Sequence, residues 1–142
     1  MKASATLEPS TRPLVKSKDS ILHFEEGLIG FSECKDFMLM ENDGIAPFRL
    51  LQSTDAKEVG FLVIEPTAVV KDYYTCVPAR EWESLGLTPT EPHLAFVICM
   101  IGSSPKDSTG NFQAPLIVNY KEMSGRQVIL TDSGLSVRQP LL

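Results

Sequence analysis

Short runs of β-branched and aromatic residues recur along the chain, each closed off by turn formers. This rhythm predicts strands over residues 21–24, 37–41, 48–52, 59–64, 73–77, 94–101, 112–120, 127–131 and 135–138. The punctuation falls at Asn42-Asp43-Gly44, Glu65-Pro66, Gly102-Ser103-Ser104-Pro105, Ser124-Gly125 and Asp132-Ser133-Gly134, the last two placed for hairpins. One segment breaks the pattern. Residues 78–85 have proline near the start, good helix formers after it, and Gly86 positioned to take the left-handed conformation past the end. Trp82 and Leu85, three apart, share a face that pins this helix to the sheet.

Many strands, one or two short helices and no β-α-β alternation predict an all-β protein, a small antiparallel β-barrel-like domain. A chain of 142 residues is the size of one ordinary domain, so a single unit over 1–142 is expected. Residues 1–20, rich in Ser, Thr, Pro and charge, read as a loosely attached arm.

The stretch Thr109 to Leu130 sets a puzzle, because an apolar run there carries Pro115, which cannot donate to a ladder, together with Asn111, Gln113 and Asn119. Proline is tolerated at an edge, a bulge or a strand end. Carboxamides both donate and accept, which suits them to bond this protein's own irregular backbone or a partner's peptide groups. The stretch is shaped for geometry and contact.

Charge narrows the partners. Residues 1–20 carry four basic and two acidic side chains and the remaining 122 carry nine and sixteen, so a +2 segment precedes a −7 body. Between residues 25 and 43 lie Glu25, Glu26, Glu33, Asp36, Glu41 and Asp43, with Lys35 the one positive charge. Direct binding of nucleic acid is disfavoured, and a basic partner protein is not.

Candidate chemistry is thin. Cys34, Cys76 and Cys99 are widely spaced, without a C-x-x-C pair, and are expected as reduced thiols with no metal or cofactor. Neither they nor His23 and His93 sit in a nucleophile motif, and the glycines at 27, 30 and 102 do not complete a phosphate-binding loop. The longest apolar run, residues 94–101, is far short of the ~20 residues of a membrane-spanning helix. The N-terminal residues lack the apolar stretch of a secretory signal, so a cytoplasmic, non-enzymatic protein is expected. A small barrel holding a metabolite in its mouth is the alternative.

Five segments taken together are specific. They are Phe24-Glu25-Glu26-Gly27-Leu28-Ile29-Gly30-Phe31, Pro47-Phe48-Arg49-Leu50-Leu51-Gln52-Ser53, Phe61-Leu62-Val63-Ile64-Glu65-Pro66, residues 111–119 (NFQAPLIVN) and Gly125-Arg126-Gln127-Val128-Ile129-Leu130. In this order and spacing the chain resembles the FliW family of bacterial flagellar assembly factors. Family members often have proline where Ile29 stands and leucine where Phe112 stands, and usually begin with a strand and a turn glycine, whereas residues 1–20 here contain no glycine. The resemblance implies a small β-barrel-like fold with a first strand before Ile21. It further implies a non-enzymatic regulator that binds flagellin and, when free, binds and antagonises a CsrA-type RNA-binding translational repressor. On that basis Glu25, Glu26, Glu33 and Asp36 are expected to meet the basic repressor. Phe48, Gln52, Asn111, Phe112, Gln113, Pro115 and Asn119 are expected to face flagellin.

Overall fold

Alternation decides which strands can be apolar on both faces, and residues 94–100 show how. In a computed structural model describing residues 12–13, 21–88, 90–131 and 133–141, Phe96 packs into one buried cluster while its neighbours Ala95 and Val97 pack into another. Both faces of this strand are covered, so the run LAFVICM has no reason to alternate with polar residues.

The strands are β1 (Arg12–Pro13), β2 (Ile21–Phe24), β3 (Asp36–Glu41), β4 (Arg49–Ser53), β5 (Gly60–Ile64), β6 (Leu94–Met100), β7 (Thr109–Gly110), β8 (Leu116–Asn119), β9 (Ser124–Gln127) and β10 (Gln139–Pro140). Neighbours run β6-β5-β4-β3-β2-β9-β8, and β8 returns to pair with β6, closing a barrel of seven strands. All of these pairs are antiparallel except β2 with β9. Closure leaves those strands without a free edge along most of their length. The remaining strands are short additions: β1 pairs with β3 at Met40 and Glu41, and β7 and β10 extend the sheet beyond the end of the β6–β8 pairing.

Leu22, Phe24, Phe37, Leu39, Leu51, Phe61, Val63, Phe96, Leu116 and Val118 fill the inside. Six barrel strands contribute to this cluster, and the seventh, β9, contributes Gly125, where a side chain would collide with the Phe24 ring. The second cluster lies on the outer face, where Tyr73, Val77, Trp82 and Leu87 cover Val97 and Ile117. The helix α1 (Ala79–Glu83) belongs to that cover: Trp82 is buried, Leu85 packs beside it, and Gly86 ends the turn at φ +83°.

Several sequence expectations change. Residues 73–77 form a 3-10 turn (Tyr73–Cys76), because the adjacent Tyr73 and Tyr74 both reach the outer cluster, which a strand cannot arrange. Residues 112–120 shorten to β8. Residues 111–115 bulge between β7 and β8, so Pro115 withholds no ladder bond and instead accepts from the Val128 N–H at 3.0 Å. Ser124 and Gly125 lie within β9, and the preceding turn contains Met123 at φ 51°. Residues 135–138 are not a strand, and β10 follows at Gln139. The first strand that the family resemblance implied is present as β1; the remainder of the arm expected over residues 1–20 lies outside the described residues.

Candidate functional site

Four of the segments that carry the family resemblance meet at one end of the barrel. The chain leaves β2 at Phe24 and turns through Gly27 (φ 67°) and Gly30 (φ 86°), conformations that a side chain at either position would strain. Leu28 is buried and anchors the turn, while Ile29 (61% exposed) and Phe31 (38% exposed) face outward. From β9, the Gln127 carboxamide holds this loop: its Oε1 accepts from the Ile29 N–H at 2.8 Å, and its Nε2 donates to the Ala114 carbonyl at 3.1 Å. Asn111 opens the bulge, donating its N–H to Ile98 O at 2.9 Å and accepting from the Gln113 N–H at 3.2 Å through Oδ1.

These pieces enclose an apolar groove of about 370 Å³. Phe61, Ile98 and Cys99 line its depth; Ile29, Met100 (63% exposed) and Val137 (52% exposed) form its rim. Thr109, Asn111 and Arg138 supply its polar edge. Phe31 packs edge-on against Phe61, ring centres 5.2 Å apart. Burial pushes the Cys99 thiol up to about 12, leaving it protonated and unreactive at neutral pH. Large apolar side chains exposed side by side are the kind of surface that partner proteins cover.

The same loop carries an acidic face at its other end. His23 points both ring nitrogens at carboxylates, Nδ1 to Asp36 at 2.7 Å and Nε2 to Glu25 at 2.9 Å. Its pKa is raised, first by the Asp36 bond and then by the Glu25 bond. Lys35 donates from Nζ to the Glu25 carbonyl at 2.6 Å. Across a cleft of about 360 Å³, Arg126 lies 4.0 Å from Glu26 and 3.2 Å from Glu81, and donates to Ser84 Oγ at 2.8 Å. Glu25, Glu26 and Glu33 are exposed and Asp36 is half-buried. His23 and Arg126 thus lie beside carboxylates of this face, and Lys35 ties down its backbone.

The seven residues expected to face flagellin do not share one surface. Phe112 is fully buried against Tyr73, whose hydroxyl donates to the Phe112 carbonyl. Pro115 and Asn119 are buried, and Asn119 is occupied internally, donating to Leu85 O at 2.7 Å and accepting from the N–H groups of Lys121 (3.0 Å) and Glu122 (3.2 Å). Gln52 donates to the carbonyls of Ser53, Lys57 and Val59. Phe48 packs on the outer cluster, and Gln113 gives its carbonyl to the Leu130 N–H at 2.7 Å. Asn111 alone of the seven lines the groove.

Sequence reasoning missed Ile29, Met100 and Val137 as groove residues. One signal was available for Met100: it continues the inward series Leu94, Phe96, Ile98 past the point where the β6–β8 pairing ends at Phe96, so the interior face of β6 emerges into solvent. Among the described residues, no group of three or more His, Cys, Asp or Glu side chains is placed to hold a metal ion, and no helix is long and apolar enough to cross a membrane.

Comparison with known proteins supports the family resemblance that these segments carry. The family model for the FliW protein matches residues 11–141. A flagellar assembly factor FliW from Leptospira interrogans serogroup Icterohaemorrhagiae serovar Lai is 35% identical over 140 residues, covering 96% of this chain and 93% of its own. A flagellar assembly factor FliW from Bdellovibrio bacteriovorus is 32% identical over 124 residues, covering 87% of this chain and 71% of its own. A crystal structure of the flagellar assembly factor FliW superposes with a TM-score of 0.80 at 31% identity, over 91% of this chain and 90% of that one. The chain belongs to the FliW family of flagellar assembly factors.

Proposed function

We propose that this protein regulates flagellar assembly by reversible occupancy, binding flagellin and, when free, a CsrA-type translational repressor. The observation that carries the reading is the single loop after β2, which offers an apolar groove at one end and a carboxylate-rich face at the other. An amphipathic segment of flagellin lays its apolar side between Ile29, Met100 and Val137. The basic repressor meets Glu25, Glu26, Glu33 and Asp36, and the same charges repel RNA from the complex.

No catalytic group is required for this work, which takes place in the cytoplasm and without direct contact to nucleic acid. Dissociation constants of ~10⁻⁷ to ~10⁻⁸ M correspond to roughly 9.5–11 kcal/mol, a range in which relative concentration decides which partner is held. The test pairs two variants. Replacing Ile29 and Met100 with glutamate should abolish flagellin binding and spare the repressor. Replacing Glu25, Glu26, Glu33 and Asp36 with lysine should weaken the repressor and flatten its salt dependence. Variants that lose neither partner, in titrations of the purified proteins, sink the reading.

A further inference from the structure

We infer that Gln127 is a positioning residue that couples the two faces, so that flagellin in the groove lowers affinity for the repressor on the acidic face. The inference rests on the function proposed above. Its basis is that neighbouring residues of β9 reach opposite ends of one loop. By strand alternation Arg126 and Gln127 point to opposite sides of the sheet. Arg126 reaches Glu26, 4.0 Å away, at the acidic end, and Gln127 accepts from the Ile29 N–H at 2.8 Å at the groove end.

The loop between those two points is stiff. Gly27 packs so closely on Ser32 that an added Cβ would lie 2.6 Å from its backbone. The Gly27 N–H donates to Phe24 O at 2.8 Å, the Phe31 N–H donates to Leu28 O at 2.7 Å, and Leu28 is buried. A displacement at Ile29 is therefore carried to Glu26 and not absorbed in between.

Gln127 also lines the groove, so an occupant that presses on Ile29 or takes a carboxamide hydrogen bond for itself loosens the tether. With the tether in place, Glu25 and Glu26 are held for the repressor; with it broken, they are not. Coupling of this kind is reciprocal and is ordinarily worth a factor of about 5–150 in affinity.

The experiment measures the affinity of purified CsrA-type repressor for the protein alone and for the protein saturated with purified flagellin. Wild type should show a loss of about tenfold or more. Gln127→Ala removes the acceptor, and Ile29→Pro removes the donor of the same bond from the other side. In either variant the repressor alone should bind about as weakly as it binds flagellin-saturated wild type, so that adding saturating flagellin lowers its affinity by less than about a further threefold. A tenfold loss that persists in both variants means that the partners overlap directly, and overturns the inference. So does the absence of any loss in wild type.

Binding of each partner alone to wild type is scored first, since failure there removes the function reading itself and this inference with it. A measurement on wild type needs no variant to fold: repressor bound at the acidic face should shift the Ile29 backbone and Gln127 side-chain amide resonances. Resonances that stay in place overturn the coupling.

Discussion

His23 and Asp36 are register partners across the β2–β3 pair, and the imidazole Nδ1 lies 2.7 Å from the carboxylate. With Glu25 at the other nitrogen, only the imidazolium can donate to both, and the pKa rises above its ordinary 6.5. The folded state then binds the proton more tightly than the unfolded chain. The resulting stabilisation is full below pH 6.5 and is lost as pH climbs through the folded value. His23 is 45% exposed, so solvent screening holds the effect below about 1 kcal/mol. Urea unfolding of wild type and His23→Gln should differ at pH 5.5 and coincide at pH 8.5; a gap independent of pH contradicts the assignment.

Gly125 faces Phe24 across the one parallel pairing of the barrel, and an added Cβ would sit 2.5 Å from the ring. The ring cannot swing away, because it is buried and packs edge-on against Phe37 at 5.7 Å. Gly125→Ala should destabilise by about 1–3 kcal/mol through overpacking. Adding Phe24→Leu should recover part of that loss, and strictly additive effects in denaturant titrations would show that the two sites do not touch.

How much of this fold was legible follows from what alternation can encode. The strands at β2, β3, β4, β5 and β6 were recoverable because their apolar runs are short and bounded by turn formers. The region after β7 was harder. Gly125 reads as a turn residue when its reason is the Phe24 ring, far back along the chain on β2, and no local pattern reports that contact. Tyr73-Tyr74 reads as a strand pair for the same cause, since propensity cannot say that both rings are needed on one side.

Tyr73 joins the outer cover to the bulge. Its hydroxyl, fully buried, donates to the Phe112 carbonyl at 2.5 Å, and burial raises its pKa well above the ordinary value. Tyr73→Phe keeps the ring and leaves that carbonyl without the donor, so a loss of about 1–3 kcal/mol is expected. Equal unfolding midpoints for Tyr73→Phe and wild type would count against the bond.

The carboxylate cluster was visible in the sequence, whereas the apolar groove was not. Glu25, Glu26, Glu33 and Asp36 lie within twelve residues of sequence, and local charge density is visible in a string. The groove draws Ile29, Met100 and Val137 from three distant places, and each alone looks like core. The carboxamides misdirected the reading because a polar residue in an apolar run signals a hydrogen bond without saying with whom. Gln127 bonds two segments at the groove, whereas Asn119 bonds the turn after β8 and Leu85, two residues beyond α1.

Asn119 and Asn111 therefore make an informative pair. Asn119→Ala deletes a buried donor to Leu85 O and the acceptor for two turn amides, and should cost about 1–3 kcal/mol of stability. Once folded, its flagellin affinity should match wild type within about threefold, because the side chain is buried and spent on internal hydrogen bonds. Asn111→Ala touches the groove edge and should weaken flagellin while perturbing stability less. Unfolding curves and titrations on the same preparations separate the two effects. If Asn119→Ala lost flagellin binding at full stability, the contact surface would lie toward α1, and the groove at Ile29 and Met100 would be the wrong face.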